Sequence, residues 1–123
     1  MKKAFSMIEL IFVIVIIGVL SAIAIPKFAA TRDDAVITKA RATVGAIRSA
    51  VATERQKRVL KGDFTDLTGS DVSGLLDTPI DSSWSISGDT FTFTGPSGNT
   101  CVFKLDQNKF VSQSCSVTGM TDL

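Results

Sequence analysis

Few side chains in this chain of 123 residues can do chemistry, and Glu9 is the first of them. It is the only charged residue between Lys3 and Lys27, and its neighbours are almost all apolar. A carboxylate in such surroundings is costly to bury unless a cation or a set of hydrogen-bond donors accompanies it. The sequence therefore predicts that Glu9 has a specific polar partner.

Two cysteines, Cys101 and Cys115, are the other candidates for covalent chemistry. The chain has no histidine, so it offers no Ser–His or Cys–His nucleophile pair and no zinc site that uses histidine. The 13 residues between the two cysteines match no zinc-ligand spacing. We therefore expect one disulfide, an oxidising compartment outside the cytoplasm, and no catalytic, cofactor or metal site.

The element that must position Glu9 is a long apolar helix. The run Phe5–Ile25 is interrupted by four residues only, which are Ser6, Glu9, Gly18 and Ser21. A helix of this length measures about 31 Å, which is enough to cross the hydrocarbon core of a bilayer. The rest of the chain must supply a soluble domain.

Three interpretations of this N-terminal segment compete. A secretory signal peptide would use Lys2 and Lys3 as its basic region and would be cleaved after Ala24, in the small-x-small sequence Ala22-Ile23-Ala24. Its product would be a secreted binding domain with a disulfide. A plain signal anchor would keep the segment as a membrane span. Neither explains Glu9, because a charge at mid-bilayer costs about 2.5–3.5 kcal/mol on insertion scales.

The third interpretation supplies Glu9 with a cation. Cleavage between Ala4 and Phe5 would place a new α-amino group on Phe5, one helical turn before Glu9. In an assembly, the amine of one subunit can pair with Glu9 of its neighbour. Such a contact is heterologous and generates an open helical filament. A subunit docked out of register would leave a carboxylate unpaired at low dielectric, so the pairing favours one register.

The sequence KKAFSMIELIFVIVIIGVLSAIAIPKF resembles the N-terminal segment of type IV pilins and of the pseudopilins of type II secretion and DNA-uptake machines. The family has a short basic leader and a small residue, then a Phe that becomes the N-methylated mature N-terminus. A Glu at the fifth mature position and often a Pro at the twenty-second follow. Ala4, Phe5, Glu9 and Pro26 occupy these places, with Ala4 standing where Gly is usual. The resemblance covers residues 1–30.

The resemblance implies a structural subunit and not an enzyme. It implies one pass through the bacterial inner membrane with the head in the periplasm, and later an extracellular or periplasmic filament. The implied partners are membrane lipid, further copies of the chain, related minor subunits, a prepilin peptidase and methyltransferase, and an assembly ATPase with its inner-membrane platform. A pilus and a pseudopilus both remain open, with adhesion, motility, DNA uptake or secretion as the task.

Pro26 is expected to disturb the helix. It removes one backbone donor and clashes with the carbonyl four residues back. Gly18 lies upstream, so residues 18–26 are the weakest part of the predicted helix. We predict a kink near Pro26, and the resemblance implies that this segment can unwind when subunits pack.

Residues 27–61 form the predicted second half of the helix, which Gly62 ends. Apolar residues recur there at spacings of three and four, on one face: Ile37, Ala40, Val44, Ile47 and Val51. This half carries nine Lys/Arg and three Asp/Glu, whereas residues 62–123 carry two Lys and eight Asp. The asymmetry indicates solvated faces or subunits that attract one another. A DNA-binding helix lacks support because aromatic residues are not interleaved, and we expect no nucleic-acid partner.

Residues 63–83 are predicted to form a loop, because Asp, Ser, Thr and Gly are abundant in their sequence, DFTDLTGSDVSGLLDTPIDSS. Five apolar residues are expected to attach it to the core: Phe64, Leu67, Val72, Leu75 and Leu76. Six Asp lie between residues 63 and 89 and suggest a calcium site. The spacing of an EF-hand is absent, so solvated carboxylates are the preferred interpretation.

After Ser83 the sequence alternates with a period of two, which is typical of strands. WSIS and TFTFT flank Gly88-Asp89, which predicts a tight hairpin turn. TCVFKL and FVSQSC flank a second turn at residues 106–109. If that turn has an odd number of residues, position 105 faces 111 and 103 faces 113.

The same register would make Cys101 face Cys115, where a disulfide can form. A closed loop of about 15 residues stabilises the fold by roughly 3 kcal/mol in the chain-entropy model. In the family that the N-terminus resembles, a C-terminal disulfide often closes the last loop, and this pair corresponds to it.

Together these patterns predict an α+β fold in which a long N-terminal helix packs against a small antiparallel sheet. The expected organisation is a leader peptide at 1–4, a transmembrane and filament-core helix at 5–26 and an amphipathic helix at 27–61. A small antiparallel β head with a disulfide occupies 62–123.

Overall fold

The computed structural model describes residues 4–123, so the basic residues of the predicted leader lie outside the described part of the chain. Two compact units are present, one ending at Asp34 and the other comprising Ala35–Leu123. The elements are α1 (Met7–Leu60), α2 (Gly69–Leu75), β1 (Trp84–Ser87), β2 (Thr90–Thr94), β3 (Thr100–Asp106) and β4 (Lys109–Cys115). The predicted α+β fold, with a long apolar N-terminal helix and a small antiparallel sheet, is confirmed.

The second half of α1 buries the predicted apolar stripe. Ala40, Val44, Ile47 and Val51 are buried, and Ile37 packs at the edge of the same cluster. The spacing of these residues places them on one side of the helix, because 3.6 residues make one turn. Burying this stripe is what holds α1 to the sheet within the Ala35–Leu123 unit.

The end of α1 has the geometry of a Schellman motif. Gly62 has a φ of 79°, in the left-handed region that glycine adopts without steric cost. The amide of Gly62 donates to the carbonyl of Val59, and the amide of Asp63 donates to the carbonyl of Arg58. The predicted end of the helix is therefore correct to within two residues.

The four strands form an antiparallel sheet in the order β1-β2-β3-β4. Its inner face contributes six large buried side chains: Trp84, Phe91, Phe93, Phe103, Leu105 and Phe110. Aromatic contacts connect the strands, with ring centroids 5.2 Å apart for Phe103 and Phe110 and 5.3 Å apart for Trp84 and Phe93. The predicted Gly88-Asp89 turn joins β1 to β2, since Ser87 pairs with Thr90.

The predicted register of β3 and β4 is wrong next to the turn that joins them, and it is correct at the open end of the hairpin. The turn has two residues, Gln107 and Asn108, with φ values of 45° and 62°, so Leu105 faces Phe110 instead of position 111. A bulge between Val102 and Phe103 then shifts the pairing by one residue. Cys101 consequently faces Cys115 as predicted.

The segment predicted to be a loop contains the short helix α2. Thr68 and Asp71 form a capping box at the start of α2. This is a local helix signal, but the high Asp and Ser content of the segment favoured the prediction of a loop. Leu67 and Val72 are buried and Leu76 packs on the core, as predicted. The same prediction is wrong for Phe64, which is 78% exposed, and for Leu75, which is also exposed.

Candidate functional site

The apolar segment of the N-terminal unit leaves its large side chains exposed. Phe5, Ile8 and Phe12 are 66–86% exposed, and the other large apolar residues up to Phe28 are also exposed. One helix in the described part of the chain, α1, is long and apolar enough to cross a membrane, with a mean hydropathy of 3.0 in its most apolar window. Length and composition alone support this, and a signal sequence has the same properties. The segment requires lipid or other protein around it, since so large an apolar surface is unfavourable in water.

Glu9 lies at the start of this helix and accepts hydrogen bonds from Ser6. Its carboxylate is 3.0 Å from the backbone nitrogen of Ser6 and 3.3 Å from the Ser6 hydroxyl oxygen. The Ser6 hydroxyl in turn accepts from the backbone nitrogen of Glu9, at 3.3 Å. These reciprocal contacts form a capping box, which satisfies two backbone donors that a helix start otherwise leaves free.

Ser6 is therefore a functional candidate beside the predicted site residues. Its S-x-x-E spacing to Glu9 is the sequence signature of a capping box, and it was readable in SMIE. The carboxylate has a local partner in the single chain, which reduces the cost of its apolar surroundings. A pairing with an amine on another subunit would replace or supplement this contact, and that pairing remains a prediction.

The predicted processing residues lie beside Glu9. Ala4 is exposed, and Phe5 and Glu9 both line a shallow groove of 280 Å³ together with Ile8, Phe12 and Val13. The structure thus brings Phe5 and Glu9 to one surface. Gly18 and Pro26 lie farther along α1, where the helix continues through Pro26. The kink predicted near Pro26 remains a prediction.

The disulfide predicted between Cys101 and Cys115 is present and joins β3 to β4. Cys101 is fully buried in the core cluster, while Cys115 packs at its edge. The bond closes a loop that contains both strands and their turn. Its place at the open end of the hairpin explains how a short sheet is held together there.

Two arginines of α1 bind a C-terminal strap, which we define as residues 116–123. Arg41 donates to both carboxylate oxygens of Asp122, at 2.8 and 3.1 Å, and to the carbonyl of Gly119. Arg48 donates to the carbonyl of Leu123 at 2.6 Å. The strap buries Val117 and Met120. The hydrogen bond and charge of Arg41 lower the pKa of the Asp122 carboxyl below its ordinary value.

Asp122→Asn is expected to lower the thermal stability of the head slightly at neutral pH and by less at about pH 3. Because the pKa of Asp122 is depressed in the folded state, the stability from its pair with Arg41 is present above the unfolded pKa. It is lost progressively as the pH falls from about 4 through the lower pKa of the folded state. Circular-dichroism melts of the full chain in detergent at both pH values measure the difference.

Asp106→Asn is the matched control, since its carboxylate forms no ion pair within residues 4–123. An Asp122→Asn variant that loses the same stability at pH 3 as at pH 7 would show that the ion pair is not the cause.

The fold and the site together define a class of protein. An exposed apolar helix with a carboxylate at its start precedes a small disulfide-containing head, and this organisation fits a membrane-anchored structural subunit. Residues 1–25 match the prokaryotic N-terminal methylation motif. No solved structure matches the chain.

One relative of known identity then specifies the family. The chain is 41% identical over 100 residues to the type IV narrow pilus major component PilA5 of Thermus thermophilus, and the match covers 75% of this chain and 86% of the relative. The chain therefore belongs to the type IV pilin family, a family of structural subunits. The motif and the apolar helix fit anchoring in a membrane before assembly into an extracellular filament.

Proposed function

We propose that this chain is a structural subunit of a type IV pilus, cleaved after Ala4, N-methylated at Phe5 and polymerised through its apolar helix. The observation that carries the proposal is the juxtaposition of Phe5 and Glu9 on one exposed apolar surface, inside the matched methylation motif. The relative is a pilus component by name, which favours a pilus over a pseudopilus.

Glu9 would have different partners before and after assembly. In the uncut chain the backbone amide and hydroxyl of Ser6 hold the carboxylate. Cleavage creates a cationic amine on Phe5, and its contact with Glu9 of a neighbour would join two full charges, whereas the Ser6 donors are neutral. In a filament core that excludes water, this difference would favour the intersubunit pair and one helical register.

Processing and assembly would require partners that the chain does not contain. A prepilin peptidase and methyltransferase would act on Ala4 and Phe5, which are both exposed. An inner-membrane platform and an ATPase would supply the work of extraction from lipid. The head would lie on the outer side of the inner membrane, where the Cys101–Cys115 bond can form.

The family membership does not favour the alternative of a secreted domain released after Ala24. That cleavage would discard Phe5, Glu9 and the whole matched motif. It would also cut α1, which continues from Met7 to Leu60.

Intact-mass and peptide mass spectrometry of the mature protein test the proposal. We expect a methylated Phe5 as the N-terminus, and the same product from Ala4→Gly, which restores the residue usual in the family. Ala4→Leu is expected to leave the leader attached, because a bulky side chain replaces a small one at the cut. A mature N-terminus at Ile25 would overturn the proposal.

A further inference from the structure

A basic groove lies on one flank of α1 in the Ala35–Leu123 unit. We define it by its lining, which comes from α1 between Arg48 and Leu60, from Asn108 of the β3–β4 turn, and from Lys109, Phe110 and Val111 of β4. Its volume is 890 Å³. The lining contains apolar side chains and three cations, Arg48, Arg55 and Lys109, but no carboxylate.

Some apolar side chains of the basic groove are exposed, and some of its cationic side chains have no partner among the described residues. Val59 is 45% exposed and Val111 is 39% exposed, although large apolar side chains in the rest of the head are mostly covered. Arg48 donates to the carbonyls of Phe110 and Leu123. The side chains of Arg55 and Lys109 form no hydrogen bond or ion pair with any residue from 4 to 123. The groove thus fits a partner that is apolar and acidic.

An acidic ridge lies on the opposite flank of the same helix. We define it as residues 75–81, LLDTPID, which follow α2 and face α1 across a separate groove. Leu75, Asp77 and Pro79 are exposed, and the Asp77 side chain forms no hydrogen bond or ion pair with any other described residue. One set of α1 residues lines the basic groove, and another set lines the groove beside the acidic ridge. The two sets lie on either side of the buried stripe of α1, as the 3.6-residue period of a helix requires.

Two contacts hold the acidic ridge in place. Lys39 of α1 forms an ion pair with Asp81 at 2.7 Å, and Ile80 packs against the core cluster. The ridge is therefore fixed to the head while its outer side chains stay available. A fixed segment loses little conformational freedom on binding, which favours its use as a docking element.

We propose that the acidic ridge of one copy of this chain docks in the basic groove of a second copy. The exposed Leu75 and Pro79 would cover the apolar floor of the groove, and Asp77 would lie against Arg55 and Lys109. Because ridge and groove lie on opposite flanks, each copy can use both at once, and the contact is heterologous and open-ended. The inference rests on the proposed function, since it describes how the heads of a polymer meet.

Charge reversal in cells that make the filament tests this contact. Arg55→Glu alone and Asp77→Arg alone are each expected to reduce the sheared fibre yield by about tenfold, because like charges face each other across the interface. The double variant Arg55→Glu/Asp77→Arg is expected to recover most of the wild-type yield. Lys104→Glu, an exposed residue of β3 outside the groove, is the control and is expected to have no effect.

The measurements separate this inference from the proposed function. Wild-type chain that is processed at Phe5 and forms fibres supports the function, whatever the variants do. Single variants with normal yield, or a double variant no better than the weaker single variant, overturn the ridge-and-groove contact alone. The level of unassembled subunit in the membrane is measured for every variant and is expected to be equal in all of them. If Arg55→Glu or Asp77→Arg has a lower subunit level, and this alone accounts for its lower fibre yield, the ridge-and-groove contact is also overturned.

Discussion

Glu9→Leu is expected to leave the subunit in the membrane and to remove almost all fibres. Leucine is apolar, so insertion of the segment becomes easier by about 3–4 kcal/mol near mid-bilayer and by less near its surface. In the filament, however, the neighbour's Phe5 amine would lose its counter-ion. Leaving one charge of a buried pair alone costs about 3–5 kcal/mol, which corresponds to more than a hundredfold in each association step.

Glu9→Gln is the matched control, because glutamine also serves at the third position of a capping box. It keeps the local contacts to Ser6 and removes only the charge. Ser6→Ala does the reverse, since it removes the hydroxyl and keeps the carboxylate. If the ion pair drives assembly, Glu9→Gln lowers the fibre yield nearly as much as Glu9→Leu does. Ser6→Ala then lowers the fibre yield far less. Quantification of sheared fibres and of membrane subunit by immunoblot measures both, and normal fibre yield from Glu9→Gln would refute the ion pair.

The parts of the fold that follow a long periodic pattern could be predicted from the sequence. The stripe from Ile37 to Val51 repeats over four turns, so the buried face of α1 follows from the sequence pattern alone. The same holds for the Gly88-Asp89 turn, where local conformation decides the chain path. The N-terminal site could be predicted for a different reason, since a lone charge in an apolar run has few explanations.

Features that depend on a single residue or on tertiary contacts could not be predicted in this way. The two-residue turn at Gln107-Asn108 is stabilised by the Asn108 side chain, which accepts from the amide of Leu67 and donates to Asp66. Neither partner is near it in sequence, and the bulge that restores the cysteine pairing has no signature in FVSQSC. The position of the short helix α2 against the sheet is likewise set by a tertiary contact, because a Cβ on Gly69 would lie 2.0 Å from the carbonyl oxygen of Gly88.

The ridge and the groove depend on tertiary structure even more strongly. Arg55 belongs to a regular basic pattern on α1, and Asp77 belongs to a polar segment without periodicity. The net charges of the two halves of the chain suggested attraction between subunits, but not which residues carry it. Only the packing of the β3–β4 turn beside α1 shows that the unpaired cations border an apolar floor.

Replacing both cysteines, Cys101→Ala/Cys115→Ala, is expected to destabilise the head by about 3 kcal/mol, because the unfolded chain regains the freedom of a loop of about 15 residues. For a domain of this size the melting temperature would fall by about 12–24 °C. Alanine is the suitable substitute, since Cys101 is fully buried and a serine hydroxyl there would lose hydrogen bonds to water. Circular-dichroism melts of the full chain in detergent measure the change.

Reduction of the native protein supplies the independent arm of this experiment. Dithiothreitol is expected to lower the melting temperature of the wild type to that of the double variant, and to leave the double variant unchanged. Lys104→Ala on the outer face of β3 should respond to the reductant as the wild type does. A wild type that is insensitive to complete reduction would show that the hairpin and its aromatic contacts hold the head without the bond. The bulge would then be the feature that aligns the strands, and the disulfide only a consequence of that alignment.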